Sequence, residues 1–430
     1  MSAVSIVSFA VMLGVVASCF RKGADILSPA RVFSFTWALS FGLADMKLSR
    51  FQHNWSALGW FELLLGVVSF LVGVFSIYVM YLRSPLLKVK EIRSRLQIQA
   101  RETLDPRKFL QVLTILFLAY LLAYVAEVAI AGNVPLFAPN PERLRVSFGV
   151  FGLHLFVTSM LTILLFTVEY FVFMSPNRRK KLFVAFVFVG TAGTFFMLLQ
   201  RYSFFNWALI AFGLAYYGSV KFNPKKFIIL AAVFFGILIL IQSLRSVLYV
   251  QNYLYVVSEM KYSREYAAFT EPYMYVAMNL ENVARGVDKL EHLSYGYFSF
   301  DWVLALTGLK HLVGDYFRIV VHPFLNSDYN TYGFQWGYYR DFGTLGVAFG
   351  SLIMGILVGL AYYGLRTSPT ILLAYAYSVS LVFMITSFRD APLSRLDFVS
   401  NLFLIWVVHR FWGRKKPASI PAATMIPNTT

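Results

Sequence analysis

Apolar runs long enough to cross about 30 Å of hydrocarbon, at about 1.5 Å per helical residue, recur from one end of the chain to the other. They fall near residues 3–20, 32–46, 57–82, 109–132, 149–173, 183–200, 204–219, 227–248, 344–365, 370–387 and 397–412. The pattern predicts an all-α, polytopic integral membrane protein of about 11 transmembrane helices. Composition agrees, since 58% of the residues are hydrophobic and only 14% charged, a balance that aqueous globules rarely show. The 43 Phe, 26 Tyr and 8 Trp exceed what one core needs, and aromatic rings are favoured where helices meet lipid headgroups.

A formal charge of +17 raises the question of nucleic acid, but the Lys and Arg residues lie between apolar runs and not along one stripe. Arg83, Lys88, Lys90, Arg93, Arg95, Arg101, Arg107 and Lys108 crowd one loop. Arg178–Lys181, Lys221/Lys225/Lys226 and Arg414–Lys416 follow at alternate later loops. The positive-inside rule makes these loops cytoplasmic, with the N-terminus periplasmic and the C-terminus cytoplasmic. Topogenesis and attraction to anionic headgroups account for the clusters, and nucleic acid is excluded as a partner. The N-terminus has neither a basic n-region nor a small-residue cleavage site, so residues 3–20 read as a retained span.

The chain divides into an N-terminal membrane bundle of about eight spans at 1–248, an extracytoplasmic loop at 249–343, about three C-terminal spans at 344–412 and a cytoplasmic tail at 413–430. Cys19 is the only cysteine, so no internal disulfide and no Cys-based metal site can hold the long loop. Within that loop Tyr273, Val276, Leu280, Val283, Val287 and Leu290 recur at helical steps, with Asn279, Asn282, Arg285 and Asp288 on other faces. This predicts an amphipathic helix, capped by Thr270 and carrying Pro272 in its first turn, lying on the bilayer or folded back over the bundle. A shorter helix is expected from Asp301 to Val313.

Arginines on the outer side are the anomaly, because topogenesis depletes them there. Arg143, Arg145, Arg201, Arg245, Arg264, Arg285, Arg318, Arg340, Arg389 and Arg395 all map outside. Each has two readings: a side chain snorkelling to headgroups, or a planar fork that binds phosphate or carboxylate. Arg201 sits in a turn too short to leave the membrane surface, and Arg245 ends a span. Asp341, beside Arg340 at a membrane edge, reads either as a cap for the next span, worth about 1 kcal/mol, or as a catalytic carboxylate. His322 is a loop imidazole able to take a proton, or simply a solvated one. Asp341-Phe342-Gly343 has none of the companions that the same triplet has in protein kinases. Glu62, Glu127 and Glu169, near span ends, read as snorkelling or helix-edge pairing and not as an ion relay. No His/Glu pair at helical spacing, no Ser-His-Asp set and no DxD stretch appears, so metal-dependent transfer has no support and no metal ligand or cofactor is assigned.

Ser28-Pro29, Asn133-Val134-Pro135-Leu136-Phe137, Arg201 in its hairpin, Asn330-Thr331 and Asp341-Phe342-Gly343 ahead of a glycine-rich span occur in an order that resembles the Wzy-type oligosaccharide repeat-unit polymerases, or O-antigen polymerases. The resemblance runs nearly the whole length. It implies a glycosyltransferase that moves a growing glycan from undecaprenyl pyrophosphate to the next lipid-linked repeat on the periplasmic face of the inner membrane, without ATP or metal. Its partners would be that lipid-linked glycan, membrane lipids and a chain-length regulator. Arg201, Arg245, Arg318, Arg340, Arg143 and Arg285 would then bind pyrophosphate or glycan, and Asp341 or His322 would act as base. Related glycan ligases use an outer-loop histidine, so a decisive His322 would favour a ligase. The class outside enzymes is a flippase or transporter of lipid-linked sugars, against which stands the lack of any repeat in the sequence.

Overall fold

A computed structural model describes residues 2–174, 177–220, 249–317, 329 and 331–412. The run at 227–248, the tail, Arg245, Arg318, His322 and Asn330 lie outside the described residues.

In chain order the described helices are α1 (Ala3–Cys19), α2 (Pro29–Asp45), α3 (Ala57–Met80), α4 (Val89–Thr103), α5 (Pro106–Ala131), α6 (Pro141–Ser147), α7 (His154–Thr158), α8 (Met160–Phe173), α9 (Arg178–Phe196) and α10 (Arg201–Gly218). After the undescribed stretch come α11 (Tyr249–Val257), α12 (Thr270–Lys289), α13 (Asp301–Thr307), α14 (Leu309–Tyr316), α15 (Gln335–Thr367), α16 (Ile371–Thr386) and α17 (Leu396–Val407). Among the described residues, the only β-contact is an isolated bridge between Ser49 and Met260. Helices Ala57–Met80, Pro106–Phe137, His154–Phe173 and Gln335–Thr367 are long and apolar enough to cross a membrane, and Ala3–Cys19 and Ile371–Thr386 are shorter apolar helices. Local chemistry fixes several starts: Ser56 accepts Gly59 N–H at 2.9 Å, and Asp105 accepts Arg107 N–H at 2.9 Å ahead of Pro106.

The basic loop contains a helix that its charge conceals in the sequence. In α4, Ile92, Leu96 and Ala100 are buried. Its polar side meets the ends of two other helices: Arg93 Nε donates to Tyr216 O at 2.7 Å, and Gln97 Nε2 donates to Val172 O at 2.9 Å and Gly218 O at 2.7 Å. Those are last-turn carbonyls, which have no partner inside their own helices, and a guanidinium there also complements the helix dipole. Arg93 therefore does structural work beyond topogenesis.

The most extensive helix pair is α3 with α15, and small residues make it possible. A Cβ on Gly73 would lie 2.3 Å from Leu352 O, and one on Gly355 would lie 2.0 Å from Phe70 O. Close backbone contact of this kind supplies dispersion energy that burial alone cannot give in lipid.

Above this pair α15 is bent back on itself. Gly343 has φ 63° and ψ −151°, and it separates Gln335–Phe342 from the long apolar part. Tyr338 O would be 2.2 Å from a Cβ on Gly346, although residues eight apart in one straight helix are about 12 Å apart. Residues 335–342 and 344 onward thus form a hairpin. Gly346 and Gly350 accommodate Tyr338 inside it, whereas Gly355 and Gly359 face α3. The start of the hairpin is deep in the bundle: Phe334 lies 5.9 Å from Trp37 and 5.3 Å from Phe383, ring to ring, and the Gln335 side chain meets Gly66. Trp37 Nε1 also donates to Ser387 Oγ at 2.9 Å, so α16 ends level with the middle of α2, about 12 Å short of Asp45. The step between the tall α2 and the short α16 is occupied by Phe334, which donates its N–H to Ser387 O and packs on Trp37.

The predicted amphipathic helix is α12, and it folds back over the bundle onto α2 and α3. Its polar side is also inside: Asn279, Glu281 and Asn282 are buried along with Leu280 and Val283. Thr270 does not cap it. Phe269 precedes the first turn, and the Thr270 hydroxyl is paired with Tyr262 OH at 2.7 Å. The helix expected over Asp301–Val313 is two, α13 and α14, broken at Gly308 where φ is 74°.

Glu62, Glu127 and Glu169 do not snorkel. Each is buried, and their partners are Thr344 Oγ1, then Val150 N–H and His154, then Tyr375 OH and His409. A carboxyl in an apolar bundle persists only with such partners.

Candidate functional site

Past the end of α16, the first turn of α10, one face of α12 and the 387–395 loop between α16 and α17 come together. Arg201 is the first residue of α10, and its Nη2 donates to Glu271 Oε1 at 3.3 Å. Beside it, the Tyr202 ring carries Arg389 at 4.6 Å and Arg395 at 5.5 Å, measured to the ring centre. Arg389 also lies 5.3 Å from the ring centre of Tyr275, one turn along α12 from Glu271. Ring faces attract a cation, and most strongly where water is scarce.

The three guanidinium groups differ in what already occupies them. Arg395 grips Asp397 with two bonds of 3.2 and 2.9 Å, and Asp390 stands 3.6 Å away. Burial works against its charge, but Asp397 and Asp390 outweigh that and hold its pKa above the ordinary arginine value. Its fork is full. Arg201 has one carboxylate contact at the long end of the range. Arg389 has no carboxylate at ion-pair distance among the described residues; its plane is held by two tyrosine rings, and its buried Nε has no acceptor. Two fixed, incompletely used forks that meet successive turns of α12, at Glu271 and Tyr275, are suited to a phosphate-rich group.

The floor beneath them is held by α12. Asn282 Nδ2 donates to Tyr329 O and Thr331 O at 2.9 Å each, Thr331 Oγ1 bonds Asn279 Oδ1, and Phe334 N donates to Ser387 O at 2.8 Å. The Asn279 and Asn282 that the helical periodicity leaves on polar faces are therefore tethers for the chain entering the hairpin.

The other arginines put forward from the sequence have separate surroundings. Arg285 binds Glu281 at 2.9 Å and reaches Phe51 O and His53. The same Glu281 accepts His53 N–H at 3.0 Å and Trp55 Nε1 at 2.6 Å, which pins the α2–α3 turn to α12. Arg340 is 5% exposed, with its guanidinium 4.0 Å from the ring centre of Phe298. Arg143 is exposed on α6, whose start Asn140 caps.

Asp341 is fully buried. Its oxygens accept Ser294 Oγ at 2.6 Å, Phe298 N–H at 3.2 Å and Ser299 N–H at 2.6 Å. The carboxylate caps the 294–300 turn and not the start of the following span. Asp341→Asn should loosen that turn by about 1–3 kcal/mol, read as faster amide exchange over residues 294–300 with unchanged exchange in α3. Unchanged exchange in the turn itself would mean the carboxylate does not hold it.

Arg389, Tyr202 and Tyr275 are what ranking by sequence missed. Arg389 was visible only as one outer arginine among ten. The available signal was a short loop, Arg389 to Asp397, in which Arg395 has carboxylates two and five residues away and Arg389 is left over.

Long apolar helices joined by a cationic, tyrosine-lined rim define a polytopic α-helical membrane protein with an anion-suited end. Residues 26–389, nearly the whole chain, match the family described as "Putative O-antigen polymerase", and the chain belongs to that family. It is thus a membrane protein of lipopolysaccharide biosynthesis, of the polymerase kind. No curated protein and no solved structure matches the chain.

Proposed function

We propose that the chain joins lipid-linked oligosaccharide repeats at the arginine-lined end, which faces the periplasm while the basic loops face the cytoplasm of the inner membrane. The donor is a glycan on undecaprenyl pyrophosphate. An acceptor hydroxyl of the next repeat forms a bond to the donor's anomeric carbon, the bond from that carbon to pyrophosphate breaks, and the hydroxyl proton passes to a base. The observation that carries this reading is the pair Arg201, held by Glu271, and Arg389, stacked on Tyr202 and on Tyr275 one turn along α12 from Glu271.

Charge gathers on the departing pyrophosphate, and fixed donors placed for it lower the barrier without reorganising. The arginine pair provides what a divalent cation provides elsewhere, so the transfer is metal-independent. Arg395 supports the pair by anchoring the loop to Asp397. Arg340 and Asp341 shape the neighbouring hairpin, with Asp341 a positioning residue because its oxygens are engaged by the 294–299 turn. His322, outside the described residues, is retained as the base, a role worth about a hundred- to ten-thousandfold; a lipid-core acceptor in place of the next repeat would make the same step a ligase's. Arg245 and Arg318, outside them too, are retained as pyrophosphate ligands, and Arg143 and Arg285 as glycan contacts. A chain-length regulator is retained as a partner.

The test is the polysaccharide ladder of a deletion strain complemented with wild type, Arg201→Ala or Arg201→Lys at equal expression. The deletion should leave single repeats on the lipid core, and neither variant should restore long chains. A deletion that removes all surface repeats would instead identify a flippase, and a full ladder from both variants would remove Arg201 from the reaction.

A further inference from the structure

At the end of the bundle opposite α12, the turn between α1 and α2, the last turns of α3 and the last turns of α15 enclose a cavity of about 260 Å³. Its lining includes Asp25, Ser28, Arg31, Tyr78, Tyr363 and Arg366. None of these residues takes part in the polymerase site.

Asp25 is buried and saturated. It accepts Tyr216 OH at 3.2 Å, Tyr217 OH at 2.8 Å, Tyr362 OH at 3.1 Å and Leu27 N–H at 3.1 Å. With its oxygens so occupied, it does not bind either arginine side chain. Arg31 donates to Ser18 Oγ at 2.9 Å, Asp25 O at 2.8 Å and Ser28 Oγ at 3.2 Å. Arg366 donates to Leu87 O at 3.0 Å and Tyr362 OH at 3.2 Å. Every one of these acceptors is a neutral carbonyl or hydroxyl. Two cations are therefore fixed on one cavity with no carboxylate at ion-pair distance among the described residues. Each is oriented through Nε and Nη1, which leaves Nη2 for something else. The start of α2 adds the backbone N–H groups of Ala30 and Arg31 to the same wall.

The surroundings say which anion. Phe20 is 85% exposed, Leu82 56% and Ile26 44%, on the same turns that form the mouth. Exposed apolar side chains next to a cationic cavity at a helix end match a membrane lipid, whose phosphate and acyl chains meet at that depth.

The geometry points to a lipid-phosphate site in which Arg31 and Arg366 hold the headgroup phosphate of an anionic phospholipid, with its acyl chains over Phe20, Ile26 and Leu82. The bound lipid bridges the α1–α2 turn and the end of α15, so it ties the largely exposed α1, at its turn into α2, to the central pair.

The full-length protein is purified in a zwitterionic detergent and titrated separately with phosphatidylglycerol, phosphatidylcholine and inorganic phosphate. Melting temperature and lipid retention by native mass spectrometry are the readouts. Phosphatidylglycerol should raise the melting temperature by several degrees and remain bound, and Arg366→Gln or Arg31→Gln should weaken that binding about tenfold or more. Equal effects of phosphatidylcholine and phosphatidylglycerol on the wild type would overturn the proposal whatever the variants do. So would inorganic phosphate alone producing the whole shift, or folded variants retaining phosphatidylglycerol as the wild type does.

Discussion

Arg389→Ala lowers the rate of glycan elongation by about a hundredfold or more while the bundle still forms. The expectation rests on how that side chain is held. Ring faces of Tyr202 and Tyr275 fix the plane of the guanidinium at 4.6 and 5.3 Å, and among the described residues no carboxylate lies at ion-pair distance from it. A lysine keeps the charge but has neither the plane to stack between two rings nor the fork to grip two phosphate oxygens. Arg389→Lys should therefore recover less than about a tenth of the lost rate. Purified variants extending a lipid-linked repeat would give the rates, and size-exclusion profiles would show that the helices remain assembled. Rates within about threefold of wild type for both variants would place pyrophosphate elsewhere on the rim.

Gly355→Leu yields no monodisperse protein. A Cβ there would sit 2.0 Å from Phe70 O, a backbone atom in the centre of α3 that no rotamer change can move. Even alanine forces the two central helices apart, at an overpacking cost of about 1–3 kcal/mol, and leucine adds three more carbons to the same gap. Gly14→Leu serves as the control, because nothing lies within 4 Å of a Cβ at that position. Detergent extracts compared by size exclusion decide the matter. A sharp peak and unchanged melting for Gly355→Leu would mean that α3 and α15 do not pack this closely.

How much of this could be read beforehand varies with the physics of each element. The long spans were legible because lipid imposes one length and one polarity on every helix that crosses it. The helix at 270–289 was legible from its apolar period, but its docking was not: burial of Asn279, Glu281 and Asn282 depends on partners up to hundreds of residues distant, such as His53 and Thr331. Residues 335–342 were read as loop because Gln335, Arg340 and Asp341 are polar, and only tertiary contacts make such a segment stable inside a bundle. α4 was hidden for a similar reason, its three buried positions being outnumbered by charges. Arg201 stands out in the sequence by its place in a short hairpin, and the fold sets it at the start of α10 against Glu271. Arg389 and Arg395 are the same residue type in the same loop, and only the fold reveals that one is consumed by Asp397 and the other is not.

The hairpin that turns at Gly343 bears on the order in which the molecule is made. Phe334, at its buried start, bonds to Ser387, and Ser387 in turn receives Trp37, so three stretches far apart in the chain lock together at one point. During synthesis α2 is already threaded when residues 335–342 emerge, but Ser387 and Arg389 do not yet exist. The segment lacks its partners Phe383 and Ser387 until α16 has been inserted. Completion of the arginine-lined end is thus a closing event of biogenesis, and a nascent protein halted before that helix would be embedded in the bilayer with that end unfinished.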